Sequence, residues 1–510
     1  AAKVWPAGHV AKAAGLKSRE GWRVWLFGSK NDHPVGGEIL ARLIPGLREE
    51  AVNLAGETSL AEAIDLLSCA DAVVSNDSGL MHVSAALGRP LAAVYGSTSP
   101  AFTPPLSEQV EVVRLGLDCS PCFERTCRFG HNNCMRELKP RAVIEAVTQG
   151  YAMEYATVHR GLHFLSNLAT DKYEAVRGTI ARFLNAAHEE EIVFASGSTE
   201  AINLVSYGWA APRLQPGDEI VLSVMEHHAN IVPWQIICQQ TGARLRVIPI
   251  SDAGEIDAAA FDALLSPTCR LLSLTHVSNT LGTINPIHQM IRQAHQHGIP
   301  VLIDGAQAVP HLKVDVQALD ADFYAFSGHK VYGPTGIGVL YGKRERLETM
   351  QPYQGGGDMI SEVTFEHTKY NELPYRFEAG TPNIAGAIGL GCALDYIQAI
   401  GLAQIVHHEQ ALLAYATRAL STIEGLRLIG TASDKAGILS FVMDAAHAHD
   451  ISTVLDQAGV AIRAGHHCTM PLMARLGVAA TARASLALYN NRADIDALVA
   501  GLHEVKRMFK

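Results

Sequence analysis

Short apolar segments alternate with amphipathic segments through most of this 510-residue chain. Three apolar segments in the first part, at 23–27, 72–75 and 91–95, each run into Gly, Ser, Asn or Asp before a helical pattern begins. This order of strand, loop and helix is typical of an open parallel sheet, where ligands bind at the carboxyl ends of the strands. The first part of the chain therefore predicts an α/β domain.

A longer α/β pattern begins near residue 150, as expected for a chain long enough for about three domains of roughly 150 residues each. Its predicted strands lie at 191–194, 219–224, 244–250, 270–275, 301–304, 323–327 and 338–341. After residue 375 the pattern changes to helices near 385–420 and 493–508 around strands such as 437–442. We therefore expect three domains: 1–145, a large α/β domain over 146–375, and a smaller α+β domain over 376–510.

Composition and charge limit the class of partner. A hydrophobic content of 48% with 18% charged residues is typical of a soluble globular protein, and the net charge of −10 argues against nucleic acid as a partner. No apolar run approaches the roughly 18 residues of a membrane span, and the first residues lack the pattern of a secretory signal. We expect a cytoplasmic protein without a membrane span. The chain begins at Ala1 rather than methionine, which suggests an incomplete or processed start.

Four of the nine cysteines, Cys119, Cys122, Cys127 and Cys134, are close together in the sequence. Four thiolates at this spacing could bind zinc or an iron–sulfur cluster. The alternative is a reduced, irregular loop. We favour this alternative and predict no metal, because no clear strand-and-turn pattern of a zinc ribbon flanks the cysteines.

Two residues near strand ends indicate a cofactor. Asp304 ends the apolar stretch 301–303, and Lys330 closes the run Phe326-Ser327-Gly328-His329-Lys330. A lysine amine forms a Schiff base with the aldehyde of pyridoxal phosphate, while an aspartate keeps the pyridine nitrogen protonated. A surface lysine or a helix-capping aspartate would explain either residue alone, but less well both together with Gln307 and His329. The sequence therefore predicts pyridoxal phosphate and an enzyme that transforms amino acids.

Further polar residues follow neighbouring predicted strands. Ser198 and Thr199 open a helix after the first large-domain strand, where amides and hydroxyls can bind a phosphate. His227 follows the second strand and could stack on a pyridine ring, although a histidine satisfied at a helix entry is equally consistent with its position. Asn279 follows a later strand. Because the carboxyl ends of parallel strands share one edge of a sheet, we expect these side chains to converge.

A candidate reactive thiol lies in the run Arg463-Ala464-Gly465-His466-His467-Cys468. A cysteine beside imidazoles and arginines is expected to favour the thiolate, and the neighbouring Gly and Thr permit a mobile loop. Such a thiolate could attack a cofactor-bound substrate; the alternative is an inert cysteine between two elements. Arg483 enters an apolar strand, where it could bind a substrate carboxylate or form a structural ion pair.

The sequence from residue 157 to the C terminus resembles the group II cysteine desulfurases of the SUF sulfur-mobilisation system. The shared motifs are Glu226-His227-His228-Ala229-Asn230, Asp304-Gly305-Ala306-Gln307, Phe326-Ser327-Gly328-His329-Lys330, Arg376-Phe377-Glu378-Ala379-Gly380-Thr381-Pro382 and the loop 463–468, although Thr469 stands where alanine is usual. The resemblance implies a type I aminotransferase-like fold, a homodimer, and conversion of L-cysteine to L-alanine. Sulfur is left as a persulfide on Cys468 and supplied through a SUF acceptor protein to iron–sulfur cluster assembly. Selenocysteine lyase, which acts on L-selenocysteine, and an aminotransferase that does not need Cys468 remain alternatives.

The resemblance also implies the role of each site residue. Lys330 bonds the cofactor and moves the α-proton of the substrate, His227 stacks on the cofactor ring, and Cys468 attacks the substrate sulfur. The other implied cofactor contacts are Asp304, Gln307, Ser198, Thr199, Ser327, His329, Asn279 and, from the partner subunit, Thr381. The implied substrate contacts are Asn279, Arg463, Arg483, His159 and Arg160.

Residues 1–145 resemble the C-terminal half of the ADP-heptose:lipopolysaccharide heptosyltransferases, in segments 3–6, 76–82 and 95–100 and in the four-cysteine loop. The resemblance implies a Rossmann-like GT-B half in which Lys3, Asp77, Ser78 and Gly79 lie near the diphosphate of a nucleotide sugar. Helix capping by Asp77 or Ser78 is the alternative. We hypothesise that the chain is a fusion of two truncated proteins with its crossover near 138–147. An inactive fusion that retains only ADP-heptose-type binding is a further alternative.

Overall fold

A computed structural model describes residues 5–19, 22–43, 45–48, 50–107, 110–115, 120, 122, 158–159 and 164–509. Two compact units divide the chain, Ala1–Asp171 and Lys172–Lys510. The division falls within a long helix, Phe164–Leu184. The domain boundary expected at residues 145 and 146, and the crossover expected at 138–147, lie outside the described residues, so both stay predictions.

The first unit contains two small parallel sheets. Strands β1 (Val24–Leu26) and β2 (Ala51–Asn53) form one sheet, and β3 (Val73–Asn76), β4 (Leu91–Val94) and β5 (Val110–Val113) form the other in that order. Described helices lie at Ala7–Arg19, His33–Ala41, Pro45–Arg48, Leu60–Ser68 and Gly79–Ala86. All four residues of β4 are buried, as expected for the central strand of a covered parallel sheet. The three strands expected in this part are confirmed.

The second unit is built on a seven-stranded sheet with the order β6-β12-β11-β10-β9-β7-β8. Its strands are β6 (Ile192–Ala195), β7 (Glu219–Ser223), β8 (Arg244–Ile248), β9 (Cys269–Thr275), β10 (Val301–Asp304), β11 (Phe323–Ser327) and β12 (Gly338–Gly342). All neighbouring pairs are parallel except the two that include β12. The carboxyl ends of the other strands therefore share one edge. The strands expected from the sequence are confirmed, with slightly shifted ends.

The helices of the second unit accompany this sheet and, towards the C terminus, the strands of the smaller part. They lie at Ser198–Val205, Val232–Thr241, Ala258–Leu264, Ile287–Gln296, Val316–Leu319, Arg344–Glu348, Ile384–Ile400, Leu402–Ser421, Ala448–Gln457, Met470–Arg475 and Arg492–Met508. Every residue of β10, β11 and β12 is buried, which explains why these strands read as nearly continuous apolar runs. The sheet edge is thus a rigid base for the polar residues that follow each strand.

The end of the chain forms a four-stranded antiparallel sheet in the order β15-β16-β18-β17. Its strands are β15 (Leu426–Ile429), β16 (Ile438–Met443), β17 (Arg463–Gly465) and β18 (Thr481–Ser485), and a separate hairpin consists of β13 (Ile360–Val363) and β14 (Thr368–Tyr370). Phe441 of β16 packs with Ile451 and Leu502 from two helices in one apolar core. The expected α+β character of this part is confirmed.

Within the described ranges, no single helix is both long and apolar enough to cross a bilayer. Ile384–Ile400 and Leu402–Ser421 would pass by length and composition only as a pair, and that pair is bent by 75°.

Candidate active site

The loop after β6 contacts the end of β11. The two segments come together at the start of β12, the strand that pairs with both. Gly338 of β12 pairs with Ala195 on one side and with Ser327 on the other. A Cβ atom on Gly338 would lie 2.4 Å from the Cα of Gly197, so a larger residue would disrupt this approach. The Ser198 backbone N–H donates to Ser327 Oγ at 2.8 Å, and Ser327 Oγ donates to Ser198 Oγ at 3.0 Å. Two predicted phosphate contacts thus converge at a helix N-terminus, which favours anions.

The other predicted cofactor contacts occupy nearby or exposed positions. Thr199 is exposed in the first turn of the helix Ser198–Val205, and His329 is exposed in the turn Gly328–Lys330 that follows β11. Gln307 is half-buried in the turn after β10. Thr381 is exposed and precedes the helix Ile384–Ile400. Their assignment to the cofactor stays a prediction.

Asp304 is the last residue of β10, and Lys330 follows the adjacent parallel strand β11. Asp304 is 5% exposed, and its Oδ1 accepts a hydrogen bond from the Ala306 N–H at 3.0 Å. Burial raises the pKa of Asp304, and the nearby Lys330 ammonium partly offsets this rise. Burial lowers the pKa of Lys330, and Arg483 lowers it further, whereas Asp304 opposes the change. An amine that loses its proton readily and a buried carboxylate are the two groups that pyridoxal phosphate requires, so these residues fit that cofactor.

His227 presents a neutral ring at the same edge. Its Nδ1 accepts a hydrogen bond from the Ala229 N–H at 3.0 Å, so the ring proton of the neutral form is on Nε2. Burial lowers the pKa of His227 to about 4, and the charge of Lys330 adds to this effect. The bond to Ala229 is the helix-entry cap that the alternative interpretation predicted. A neutral, half-buried imidazole is also suited to stack on a cofactor ring, so that role stays a prediction.

Glu226 supports the loop that carries His227, a role that the sequence alone did not indicate. Its carboxylate is fully buried and accepts hydrogen bonds from Ser223 Oγ at 2.5 Å and from Asn230 Nδ2 at 2.7 Å. Asn230 Oδ1 in turn accepts from Trp234 Nε1 at 2.9 Å. The sequence feature that could have indicated this role is a glutamate that directly precedes two histidines at the end of a strand. The network holds the loop after β7 against the sheet.

We expect Glu226 to make the stability of the protein depend on pH. Burial raises its pKa to about 7, and the neighbouring Asp304 adds to this rise. Between the ordinary carboxyl pKa and this value, the folded state holds a proton that the unfolded state has lost, so stability falls as pH rises. Glu226→Gln keeps the shape of the side chain but cannot ionise. The loss of unfolding free energy between low and neutral pH should therefore be smaller in this variant, by up to about 3 kcal/mol.

Urea unfolding at pH 5 and pH 7.5, followed by the absorbance of the bound cofactor, measures this effect. Glu362→Gln is the matched control because Glu362 is exposed on β13. The control should keep the pH dependence of the unmodified protein. The same dependence in Glu226→Gln would show that Glu226 does not cause it.

Cys468 lies in a tight loop before the helix Met470–Arg475. His467 and Cys468 have φ values of 51° and 59°, a left-handed conformation that is uncommon for residues other than glycine. Asn279 Nδ2 donates to the His467 carbonyl at 2.7 Å, and the His228 N–H donates to the Cys468 carbonyl at 2.8 Å. His467 Nε2 lies 2.8 Å from Thr481 Oγ1 of β18. These bonds fix the backbone of the thiol loop next to the sheet edge.

Arg463 and Arg483 are direct neighbours across the pair β17 and β18. Like charges in this arrangement are unfavourable unless an anion lies between or beside them. Arg483 donates to the Asn279 carbonyl at 2.6 Å, and its buried Nε has no hydrogen-bond partner among the described atoms. Arg463 contacts Cys468 Sγ at 3.9 Å. An unused N–H in a pair of guanidinium groups is suited to a carboxylate, which favours substrate binding over a structural ion pair for Arg483.

The remaining predicted residues lie in the first unit. His159 is exposed, and its backbone N–H donates to Thr170 Oγ1 at 3.0 Å. Ser78 caps the helix Gly79–Ala86, since its Oγ accepts from the Met81 N–H, as the capping alternative predicted. Asp77 and Gly79 lie in the same strand-to-helix turn. Nucleotide-sugar binding by this turn stays a prediction.

Several predicted residues cannot be placed in the site. Lys3, Arg160, Cys119, Cys127 and Cys134 lie outside the described residues. Cys122 is described as a half-buried free thiol. The interpretation of the four-cysteine loop as reduced or metal-binding is therefore untested.

Two protein-family models match separate parts of the chain. The aminotransferase class-V model matches residues 137–498, and the glycosyltransferase family 9 (heptosyltransferase) model matches residues 1–133. Both resemblances expected from the sequence motifs are therefore confirmed, and their arrangement is consistent with a fusion.

Several known proteins similar to the second part are cysteine desulfurases. A cysteine desulfurase of Dickeya dadantii is 55% identical over 371 residues, which cover 72% of this chain and 90% of that protein. Among solved structures, the cysteine desulfurase CsdA of Escherichia coli, in its S-sulfonic acid form, is 44% identical with a TM-score of 0.67, covering 73% of this chain and 93% of that one. An apo cysteine desulfurase from Thermococcus onnurineus is 38% identical with a TM-score of 0.68, covering 73% of this chain and 92% of that one.

Proposed function

Because the chain belongs to the aminotransferase class-V family and is a pyridoxal-phosphate-dependent cysteine desulfurase, we propose that Cys468 takes the sulfur of L-cysteine as a persulfide. The observation that carries this proposal is the meeting of three groups at one sheet edge. Asp304 lies at the end of β10 and Lys330 just after the adjacent strand β11. The loop of Cys468 is bonded at the same edge by the His228 N–H and by Asn279 Nδ2. An amine, a carboxylate and a thiol at one place are the groups that the reaction requires.

Pyridoxal phosphate, when bound, supplies an electron sink for the carbon from which sulfur departs. Each part of the cofactor has a proposed protein contact. The phosphate would be held by Ser198, Thr199, Ser327 and His329, the pyridine nitrogen by Asp304, the phenolic oxygen by Gln307, and the ring face by His227. Asn279, which also donates to the thiol loop, is proposed as a further cofactor contact.

The protein groups then act on the substrate in a fixed geometry. Arg483, with Arg463 beside it, binds the carboxylate of L-cysteine through its unused N–H. Lys330 removes the α-proton, which its lowered pKa assists. The thiolate of Cys468 attacks the substrate sulfur: an S–S bond forms, and the C–S bond breaks with its electron pair going to carbon. Protonation of that carbon yields L-alanine.

Two partners follow from the same proposal. Cys468 is half-exposed, so an acceptor protein with its own thiol, of the SUF type, could remove the persulfide sulfur. We also propose a homodimer in which the exposed Thr381 contacts the cofactor of the neighbouring subunit. Sedimentation equilibrium measures the subunit number directly, and a monomer at micromolar concentration would contradict the dimer.

We expect the purified protein to convert L-cysteine to alanine and, in the presence of a reducing thiol, to an equal amount of sulfide. Chromatography measures alanine, and mass spectrometry of the unreduced protein detects one added sulfur atom on Cys468. Protein stripped of pyridoxal phosphate is the control. No alanine from protein fully loaded with cofactor would contradict the proposal. Turnover of L-selenocysteine but not L-cysteine would instead indicate a selenocysteine lyase.

A further inference from the structure

Two histidines lie beside Cys468 and have no assigned part in binding the cofactor. His228 starts the short turn His228–Asn230 after β7, and His466 precedes the thiol by two positions. Their ring centroids are 5.6 Å apart. One ring nitrogen of each histidine and the sulfur of Cys468 all lie within 4.8 Å of one another. Two imidazoles and a thiol are thus gathered at the surface of the proposed sulfur-transfer site.

Both imidazoles have a lone pair directed at the backbone of the thiol loop. The Met470 N–H donates to His228 Nε2 at 3.1 Å, and the Cys468 N–H donates to His466 Nδ1 at 3.1 Å. A ring nitrogen that accepts a hydrogen bond carries no proton and has one in-plane lone pair, so a metal ion bound there would replace that hydrogen bond. A metal ion bound at the other ring nitrogen would instead take the place of its proton. Burial lowers the pKa of His228, and the nearby His466 adds to the effect, which favours the neutral, metal-binding form.

We propose that His228, His466 and Cys468 form a binding site for a thiophilic divalent cation, best matched by zinc, whose occupancy blocks sulfur transfer. Zinc binds cysteine sulfur at about 2.3 Å and histidine nitrogen at about 2.0–2.1 Å in tetrahedral geometry. The three ligand atoms would move closer by roughly 1 Å, which the exposed side chain of His466 permits. The fourth position stays open to water. Thiolate and imidazole ligands favour zinc over magnesium or calcium, which prefer oxygen.

The blocking effect follows from the chemistry of the thiol. Zinc takes the lone pair of Cys468 that would attack the substrate sulfur, and a proton is released if the cysteine was a thiol. No electron is transferred, so a chelator reverses the step. The block rests on the proposed role of Cys468 as sulfur acceptor, whereas zinc binding itself does not.

Nearby positive charge opposes the cation and gives the site a distinctive property. Arg463 contacts Cys468 Sγ at 3.9 Å, and Arg483 is its cross-strand neighbour. Removing the charge of Arg463 should therefore tighten zinc binding. The expected gain is about threefold, because the repulsion between the guanidinium and the zinc ion is largely exposed to water. A zinc site elsewhere in the chain would not respond in this way.

The test is a zinc titration of the cofactor-loaded protein against a chromophoric chelator, without thiol reductants or substrate. All proteins carry Cys122→Ser, which disrupts the four-cysteine loop as a competing site. We expect one bound zinc that is lost in Cys468→Ser, weakened at least tenfold in His228→Ala and His466→Ala, and tightened in Arg463→Gln. Cofactor absorbance shows that each variant is folded.

X-ray absorption at the zinc edge distinguishes the ligands, because this site gives a mixed shell of nitrogen and a single sulfur. An unchanged zinc stoichiometry in Cys468→Ser, or a shell without sulfur, would overturn the site. Alanine formation from L-cysteine should fall in proportion to zinc occupancy and recover with a chelator. Unchanged alanine formation at full occupancy would overturn the block. Since binding is measured without substrate, a failure of the desulfurase assay would leave the binding result unaffected.

Discussion

Replacing Cys468 with serine should lower alanine production from L-cysteine by at least about 100-fold while the cofactor stays bound. A serine hydroxyl is a poor nucleophile towards sulfur and cannot carry a persulfide. The loop should keep its shape, because the Cys468 contact to His228 uses the backbone carbonyl. The groups proposed to hold the cofactor, such as Lys330 and Asp304, are also unchanged. The expected result is therefore loss of sulfur transfer without loss of cofactor absorbance.

Cys69→Ser is the control for this experiment, since Cys69 is an exposed free thiol in the first unit. The control should retain full activity. If Cys468→Ser still forms alanine at the normal rate, the sulfur does not pass through this residue. Dependence on an added 2-oxo acid would then favour the aminotransferase alternative.

Replacing Arg177 with methionine should destabilise the second unit by about 3–5 kcal/mol. Arg177 is 2% exposed, and its guanidinium donates to Glu378 Oε1 at 2.8 Å and to Glu378 Oε2 at 3.1 Å. It also donates to the Ile192 carbonyl of β6 at 2.7 Å. Without Arg177, Glu378 keeps the Phe194 N–H and the Tyr173 hydroxyl as donors but is a buried carboxylate without its cation. A buried, unpaired charge is strongly unfavourable.

Urea unfolding followed by cofactor absorbance measures this loss. Arg182→Met on the same helix is the control, because Arg182 is exposed and its guanidinium donates to Thr179 Oγ1. This control should change stability by less than about 0.5 kcal/mol. Adding Glu378→Leu to Arg177→Met removes the unpaired carboxylate and should restore part of the loss. Similar midpoints for Arg177→Met and Arg182→Met would show that the buried pair contributes little.

The positions of several proposed cofactor residues could be predicted because their signals are local in the sequence. An apolar run such as 301–303 must be a buried strand, and Asp304 at its end must then lie at the sheet edge. The same reasoning placed Ser198 at a helix start after β6 and Lys330 in a turn after β11. These predictions needed only the rule that parallel strands share an edge.

The contacts that hold the edge together could not be predicted in this way. The approach of Gly197 to Gly338 requires β12 to run antiparallel between β6 and β11, and the order of strands has no local signal. The pairing of Arg463 with Arg483 likewise depends on the register of β17 and β18. Register is set by packing of the whole sheet, so neither contact can be read from spacing.

By itself, the sequence determined the strands, the positions of Asp304 and Lys330 that are proposed to bind pyridoxal phosphate, and the candidate thiol Cys468. Each follows from a short pattern whose physical meaning does not depend on distant residues. The tertiary structure alone decided that Asn279 and His228 hold the thiol loop, that Glu226 supports His227, and that Arg177 pairs with Glu378. These contacts join residues from separate elements, and burial makes them specific because an unpaired polar group away from water is unfavourable.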